Sequence, residues 1–417
     1  MKKLFILLLF ICQAFSLQGA ILSMEGDGYL EEREGQRILH LKGSPYDMGY
    51  QHGSLLKADV TENIQRFIDE RILTQSMQEP IKSFLTRLPS ILPYVPARLL
   101  EELRGVADGA GVPYEKVILL NVFPEMFHCT GLTVSGQATL QKELYHVRVL
   151  DYGAGKGLQN SAVLIVAEPE RGIPFLNVSY AGFIGCITGM NAEKIAIGEI
   201  GGKGYGQWDG LPMAFLLRTL LERASSLEEI RKILAETPRT CEYFYVFSDG
   251  KNSQSLGVYA TPQQLHFIEP GSSYSLFDLS SVLPAHPDVY KVEKAVFNQL
   301  FVESSLFQTV LYQDAQKEKI FGLIHHQLPD CVILTGFTRP YRYPILIERL
   351  QARYGSIQVS DLQDMIKAPV ACPTNLHNAI FAPGSLEVWI AHAGPNEELA
   401  CDQPYHHFSL SDLLMQK

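Results

Sequence analysis

An α+β fold, with helices and strands gathered in blocks, is what this sequence predicts, and three observations predict it. Between residues 43 and 128 the apolar positions recur at helical spacing. At Cys129 the pattern switches abruptly to β-branched and alternating runs divided by glycine-rich turns. Beyond residue 210, helix groups and strand groups succeed one another in blocks, which favours α+β layers over a regular βαβ repeat. The 417 residues allow two or three units or one large sheet-based domain, and we find neither an internal repeat nor a low-complexity linker.

The elements follow in order. Residues 1–20 read as an export signal: Lys2 and Lys3 precede the apolar run 4–12, and small or polar residues follow, with cleavage expected after Ser16 or Ala20. A lipobox at Cys12 is rejected because Phe10 and Ile11 stand where small residues are needed. The apolar run is short for a bilayer and no later one reaches about eighteen residues, so the mature protein is expected to be exported, periplasmic or secreted, with no membrane anchor. A strand-like run at 37–42 leads to Gly43-Ser-Pro-Tyr-Asp47, where serine before proline, with an acid in the first turn, marks a helix start. That helix carries Met48, Leu55, Val60, Ile64 and Phe67 to about Leu73. A second helical region, broken by Pro89, Pro93 and Pro96, stops at Gly109 and Gly111. A third begins near Tyr114, so residues 21–128 read as a mostly helical segment. Strands are expected at 129–134, 145–150, 162–167, 175–180 and 195–200, helices at 211–223 and 227–237, and strands at 243–247, 255–260 and 265–268. Helices at 344–354 and 359–365 and strands at 378–381 and 386–391 complete the reading.

Composition removes several functions. With 45 acidic residues against 35 Lys and Arg, a net charge of −10 and no dense basic run, the chain lacks the electrostatic basis for binding nucleic acid or anionic lipid. Six of its seven cysteines lie beyond the signal, at 129, 186, 241, 331, 372 and 401, with no Cys-x-x-Cys pair, so neither a zinc ribbon nor a redox dithiol is expected. His325-His326 and His406-His407 lack companion ligands at metal spacing. Residues 201–206 lack the Gly-Lys-Ser/Thr ending of a phosphate loop and read as a flexible loop bordering a site. No metal and no cofactor is expected.

Chemistry is sought at Cys129, which opens a strand where helical sequence ends. Arg148 and Asp151 fall on the next expected strand; an arginine beside a thiol favours the thiolate, and a carboxylate can hold an ammonium. Three residues apart on a regular strand, they point to opposite faces, so both serve one site only if Asp151 lies at a strand end or bulge.

These residues carry a resemblance. Cys129-Thr-Gly-Leu132 with Arg148-Val-Leu-Asp151 resembles the start of the catalytic chain in bile salt hydrolases and penicillin V acylases. Residues 43–53, with Gly111-Val-Pro-Tyr-Glu115 and Asn121, are more specifically similar to the isopenicillin N acyltransferase family. So are Gly189-Met-Asn191, residues 339–349, and Asn375-Leu-His-Asn378 ahead of Phe381-Ala-Pro383. Both groups are N-terminal nucleophile hydrolases. The resemblance implies a four-layer αββα sandwich at residues 129–417, preceded by a helical pro-segment at 21–128, and scission between His128 and Cys129. It also implies Cys129 as nucleophile, Arg148 steadying the thiol, Asp151 holding the freed α-amino group, and Arg342 as a distal active-site arginine. Relatives place asparagines at two further sites. Reading without gaps from Asn191 puts Gly201 at the first, and the second falls near Ala285-His286, with His286 as a substitute, so the oxyanion hole is not identified.

The function expected is that of an exported, self-processing hydrolase of the carbon–nitrogen bond in small N-acyl amides, with water as the acyl acceptor. Transfer of the acyl group to another amine passes through the same acyl-enzyme, and a binding protein that kept the fold and lost catalysis is the reading from a different class. Phe183, Ile184, Tyr205, Trp208 and Met213 are expected to wall the site and to favour an apolar acyl group.

Overall fold

The computed structural model describes residues 19–73, 79–122, 128–201, 208–275, 312–314, 319–321, 324–335 and 342–415. The segment 1–18, residues 202–207 with Tyr205, and His286 lie outside them. The main sheet consists of two leaves joined through one residue pair, His128 with Gly201. The first leaf runs in the order Ala20–Glu25, Gly28–Arg33, Gln36–Gly43, Ala162–Pro169, Phe175–Tyr180, Thr188–Asn191, Ile195–Gly201, Tyr243–Asp249, Gln254–Ala260, Leu265–Ile268. The second runs Cys331–Thr335, His128–Val134, Tyr145–Asp151, Asn375–Ala382, Glu387–His392, His406–Ser409. Gln36–Gly43 lies parallel to Ala162–Pro169, and the other pairings within the leaves are antiparallel.

Period-two alternation gives each leaf two apolar faces, and both are covered. Leu164, Leu176 and Met190 of the first leaf pack on Ala379, Phe381 and Ile390 of the second. The outer face of the first leaf lies against the N-terminal helices and against Met213–Arg223 and Leu227–Glu236. That of the second, with Val147, Val149 and Ile380, lies under Arg342–Arg353 and Val359–Met365. Helix, sheet, sheet and helix make the αββα sandwich.

The N-terminal segment departs from the mostly helical expectation. Residues 20–43 form three strands, and the third is built into the first leaf beside Ala162–Pro169. Turns at Gly26 and Gly35, with φ of +57° and +77°, separate them. The middle strand hid because its charged residues read as loop; Glu31 is buried there between Arg33, 2.9 Å away, and His40, 3.0 Å away. Helices begin at Pro45, where Ser44 and Asp47 form the capping box that the Ser-Pro signal announced. Thr188–Asn191, Cys331–Thr335 and His406–Ser409 are further strands too short for alternation to reveal.

The 43–53 motif is explained by packing. A Cβ on Gly49 would stand 2.0 Å from the carbonyl oxygen of Glu102, and one on Gly105 would stand 2.2 Å from that of Tyr46, so Pro45–Leu55 and Ala97–Ala110 touch backbone to backbone. His52 Nε2 accepts the Gly182 N–H at 2.8 Å, and Asn121 donates to Gly182 O at 2.7 Å while accepting from Ile184 N. The helices thereby hold the turn at 181–185 that borders the site.

Candidate active site

Cys129 is the second residue of its strand, directly opposite Leu150, and Gly131 is opposite Arg148. This face looks into the gap between the leaves: a Cβ on Gly131 would meet Ile200 and Val246, and one on Gly198 would lie 3.1 Å from Arg148 Cδ. Two glycines thus leave the channel through which the arginine reaches the thiol. Arg148 Nη2 lies 2.8 Å from Cys129 Sγ and 3.0 Å from Glu199 Oε2, and Nη1 donates to Val149 O at 2.5 Å. Cys129, Arg148 and Glu199 are wholly buried. Burial pushes the thiol well above its ordinary value, with Arg148 and the Asp151 N–H opposing it. Burial also pushes the Glu199 carboxyl up to about 7, against the pull of Arg148 and of the Gly201 N–H.

Glu199 is the site neighbour that sequence reasoning missed. The signal was there: a lone acid in Ile195–Gly201, an otherwise apolar run, must find a partner once buried.

On the other side of the nucleophile stands Asp151, the last residue of its strand, where the register against Asn375–Ala382 shifts. It accepts from Arg342 Nη1 at 2.7 Å, from Cys372 N at 3.0 Å and from Asn375 Nδ2 at 3.3 Å. Arg342, the first residue of its helix, also donates through Nη2 to the Cys129 carbonyl oxygen at 3.3 Å. Arg148 therefore meets the thiol and Arg342 meets the main chain of the same residue, from opposite faces.

Asn191 is not brought to the cysteine. Its amide nitrogen donates to Leu221 O and Ala224 O and its oxygen accepts from Ile195 N, closing the end of Met213–Arg223. It stands at the Ile195 end of a seven-residue strand whose Gly201 end meets His128, about 20 Å away at 3.3 Å per residue. The six cysteines are buried, and none forms a disulfide with another. Among the described residues no group of His, Cys, Asp or Glu is arranged to hold a metal, and no helix is long and apolar enough to cross a membrane.

A narrow apolar cleft of about 20 Å³ is lined by Leu150, the cross-strand neighbour of Cys129, with Tyr152, Leu158, Phe183, Ile187 and Ala214. Asn121, Tyr180 and Gly185 complete the lining. Of the expected wall, Phe183 lines this cleft, while Ile184, Trp208 and Met213 are buried in the adjacent core.

Residues 141–271, which include Arg148, Asp151 and Glu199, match the family described as acyl-coenzyme A:6-aminopenicillanic acid acyl-transferase. Protein dcd1B of Dictyostelium discoideum is 34% identical over 251 residues, covering 52% of this chain and 49% of that protein. Acid ceramidase of Rattus norvegicus is 27% identical over 288 residues, covering 60% and 68%. The chain spans between 49% and 66% of the length of the first curated relatives it matches. Among solved structures, a Caenorhabditis elegans N-acylethanolamine-hydrolyzing acid amidase ortholog is similar at 12% identity and a TM-score of 0.40, covering 61% of this chain and 93% of that one. Over residues 141–271, the stretch that carries Arg148, Asp151 and Glu199, the chain is thus similar to the acyl-coenzyme A:6-aminopenicillanic acid acyl-transferase family.

Proposed function

We propose that this protein is an exported cysteine amidase that activates itself by scission between His128 and Cys129 and then hydrolyses N-acyl amides. The observation that carries the reading is the two-sided hold on Cys129, with Arg148 Nη2 2.8 Å from Sγ and the Arg342–Asp151 pair at the main chain. In the uncut chain the buried thiol is protonated. Glu199, beside it and near 7, is placed to take that proton while sulfur adds to the His128 carbonyl carbon. The carbon–nitrogen bond breaks, the Cys129 nitrogen takes up a proton, and water hydrolyses the thioester. The freed α-amine, with an ordinary pKa of about 7.7 to 8, is then the base, held by Asp151. In turnover it takes the thiol proton, the thiolate adds to the substrate carbonyl, and the amine leaves with that proton. Water then releases the acid.

The cleft must widen to admit a substrate, and its apolar lining then suits an aliphatic or aryl acyl group, leaving the amine side to few polar contacts. N-acyl amino acids, penicillins and conjugated bile acids fit that description, and a relative named for ceramide supports a hydrophobic acyl chain. Acyl transfer is the second reading because the matched family is named for it; an added amine that diverts product from acid to amide decides between them. Export rests on the charged and apolar pattern of residues 1–20.

Intact mass and N-terminal sequencing test the reading. The wild-type chain should yield a large piece of 417 − 128 = 289 residues beginning at Cys129, and Cys129→Ala should stay whole. A wild-type chain that stays whole, with no turnover of any acyl amide, would leave the binding-protein reading in its place. Among amides matched for amine, rates that ignore acyl length would remove the cleft from the argument.

A further inference from the structure

The reaction proposed above develops an oxyanion for which no donor has yet been named. Gly201, at the position of one asparagine in the relatives, spends its N–H on the Glu199 carboxylate. Asn121, the amide in the cleft lining, donates to Val117 O and Gly182 O and accepts from Ile184 N, so it has no proton left for a substrate.

Tyr180 is placed differently. Cys129, Leu150 and His377 are directly opposed on three neighbouring antiparallel strands, so their side chains share one face at steps of about 5 Å. Tyr180, the last residue of Phe175–Tyr180 in the facing leaf, reaches across the gap to this row. Its hydroxyl lies 2.9 Å from His377 Nδ1, and His377 Nε2 lies 2.9 Å from Thr188 Oγ1. Tyr180 and Leu150 line the same cleft. The hydroxyl thus stands at the His377 end of a row whose other end is the thiol, with Leu150 between them.

We propose that Tyr180 is a further catalytic residue: its hydroxyl accepts the Nδ1–H of His377 and donates a hydrogen bond to the carbonyl oxygen of the scissile amide as the Cys129 thiolate adds. This rests on the amidase reading. Burial holds His377 well below its ordinary value and Tyr180 well above, so both are neutral and the imidazole carries one N–H. With the Thr188 hydroxyl donating to Nε2, that N–H faces Tyr180 and the phenol proton is left for the cleft. As the sulfur–carbon bond forms, the carbonyl π pair moves to oxygen, which receives a hydrogen bond and not the proton. On collapse the C=O re-forms, the carbon–nitrogen bond breaks, and the amine departs with a proton from the Cys129 α-ammonium.

The test uses the processed protein, an N-acyl amide substrate, and a fatty aldehyde of the same chain, which adds Cys129 as a hemithioacetal; the matching alcohol is the ground-state control. Tyr180→Phe should lower kcat by about 10²- to 10³-fold with KM nearly unchanged. It should weaken the aldehyde by a similar factor and leave alcohol affinity intact. Unchanged kcat, or equal weakening of aldehyde and alcohol, would show that Tyr180 only packs the cleft and would overturn the proposal. Should Tyr180→Phe fail to fold, Thr188→Val, which releases the His377 tautomer without touching the cleft wall, should still lower kcat by about tenfold; no change there overturns the proposal as well. A wild-type chain that is processed but turns over no acyl amide, or whose turnover survives alkylation of Cys129, overturns the amidase reading and this one with it, which separates that failure from loss of the tyrosine role alone.

Discussion

Replacing Asp151 by asparagine should cost the fold about 3 to 5 kcal/mol, and most of that cost should disappear when Arg342 is removed as well. The two side chains lie 2.7 Å apart with relative exposures of 3% and 1%. At an effective dielectric of about 20 their attraction is about 6 kcal/mol, which offsets the desolvation of both ions. Asparagine removes the charge and leaves the guanidinium buried without a counter-ion. It also turns an amide donor toward the Cys372 N–H or the Asn375 amide, which now share the two carboxylate oxygens with Arg342. The assay is urea unfolding in a Cys129→Ala background, so that every chain is uncut, comparing Asp151→Asn, Arg342→Met and the double variant. The double variant should recover at least about 2 kcal/mol relative to the sum of the singles. With Cys129 restored, it should nevertheless fail to process and to turn over substrate, because nothing holds the α-amine. A single-variant cost under about 1 kcal/mol, or additive costs in the double variant, would refute the argument that the pair is a coupled buried unit.

Glu199 gives a pH signature. Its folded value of about 7 lies above the ordinary 4.5, so the stability that its neutral form contributes is fully present below about 4.5 and is lost as pH rises through about 7. In the uncut chain, Glu199→Gln should therefore match the parent near pH 4 and exceed it by roughly 3 kcal/mol near pH 9, at 1.36 kcal/mol per unit; a pH-independent difference would contradict this. Arg148→Lys should lose most turnover while processing slows, since a point charge cannot reach Sγ, Glu199 and Val149 O together, and kinetics within twofold of wild type would count against the fork. Gly198→Ala should lower kcat about tenfold with little change in melting temperature, because its Cβ displaces Arg148 from 3.1 Å; normal turnover would show that the arginine has room to move. Gly49→Ala should destabilise by about 3 kcal/mol through the 2.0 Å clash with Glu102 O, measured by urea unfolding, and should spare the chemistry of the molecules that fold.

Much of this protein is legible along the chain. The helix start at Ser44-Pro45, the glycine stop at Gly111, the strand around Cys129 and the helix at Val359–Met365 are local events, set by caps, turn residues and side-chain period. Cys129, Arg148 and Asp151 could be proposed from one short stretch because two adjacent strands carry them, and the resemblance extended the reading to Arg342. Period also put Arg148 and Asp151 on opposite faces, and the structure shows a use for both faces of the same cysteine.

Only the tertiary structure decided the rest. Asn191 stands in a stretch shared with the relatives and closes a helix end; Glu199 looked like one acid in an apolar strand and stands against the thiol's arginine. Tyr180 and His377 are 197 residues apart and meet because two leaves face each other. Gly28–Arg33 reads as polar until His40 and Arg33 are brought to Glu31. Periodicity states which way a side chain points from its own element, but a carboxyl's proton affinity, a glycine's necessity and a tyrosine's partner depend on what burial places opposite them. That distance is measured across the sandwich and not along the chain.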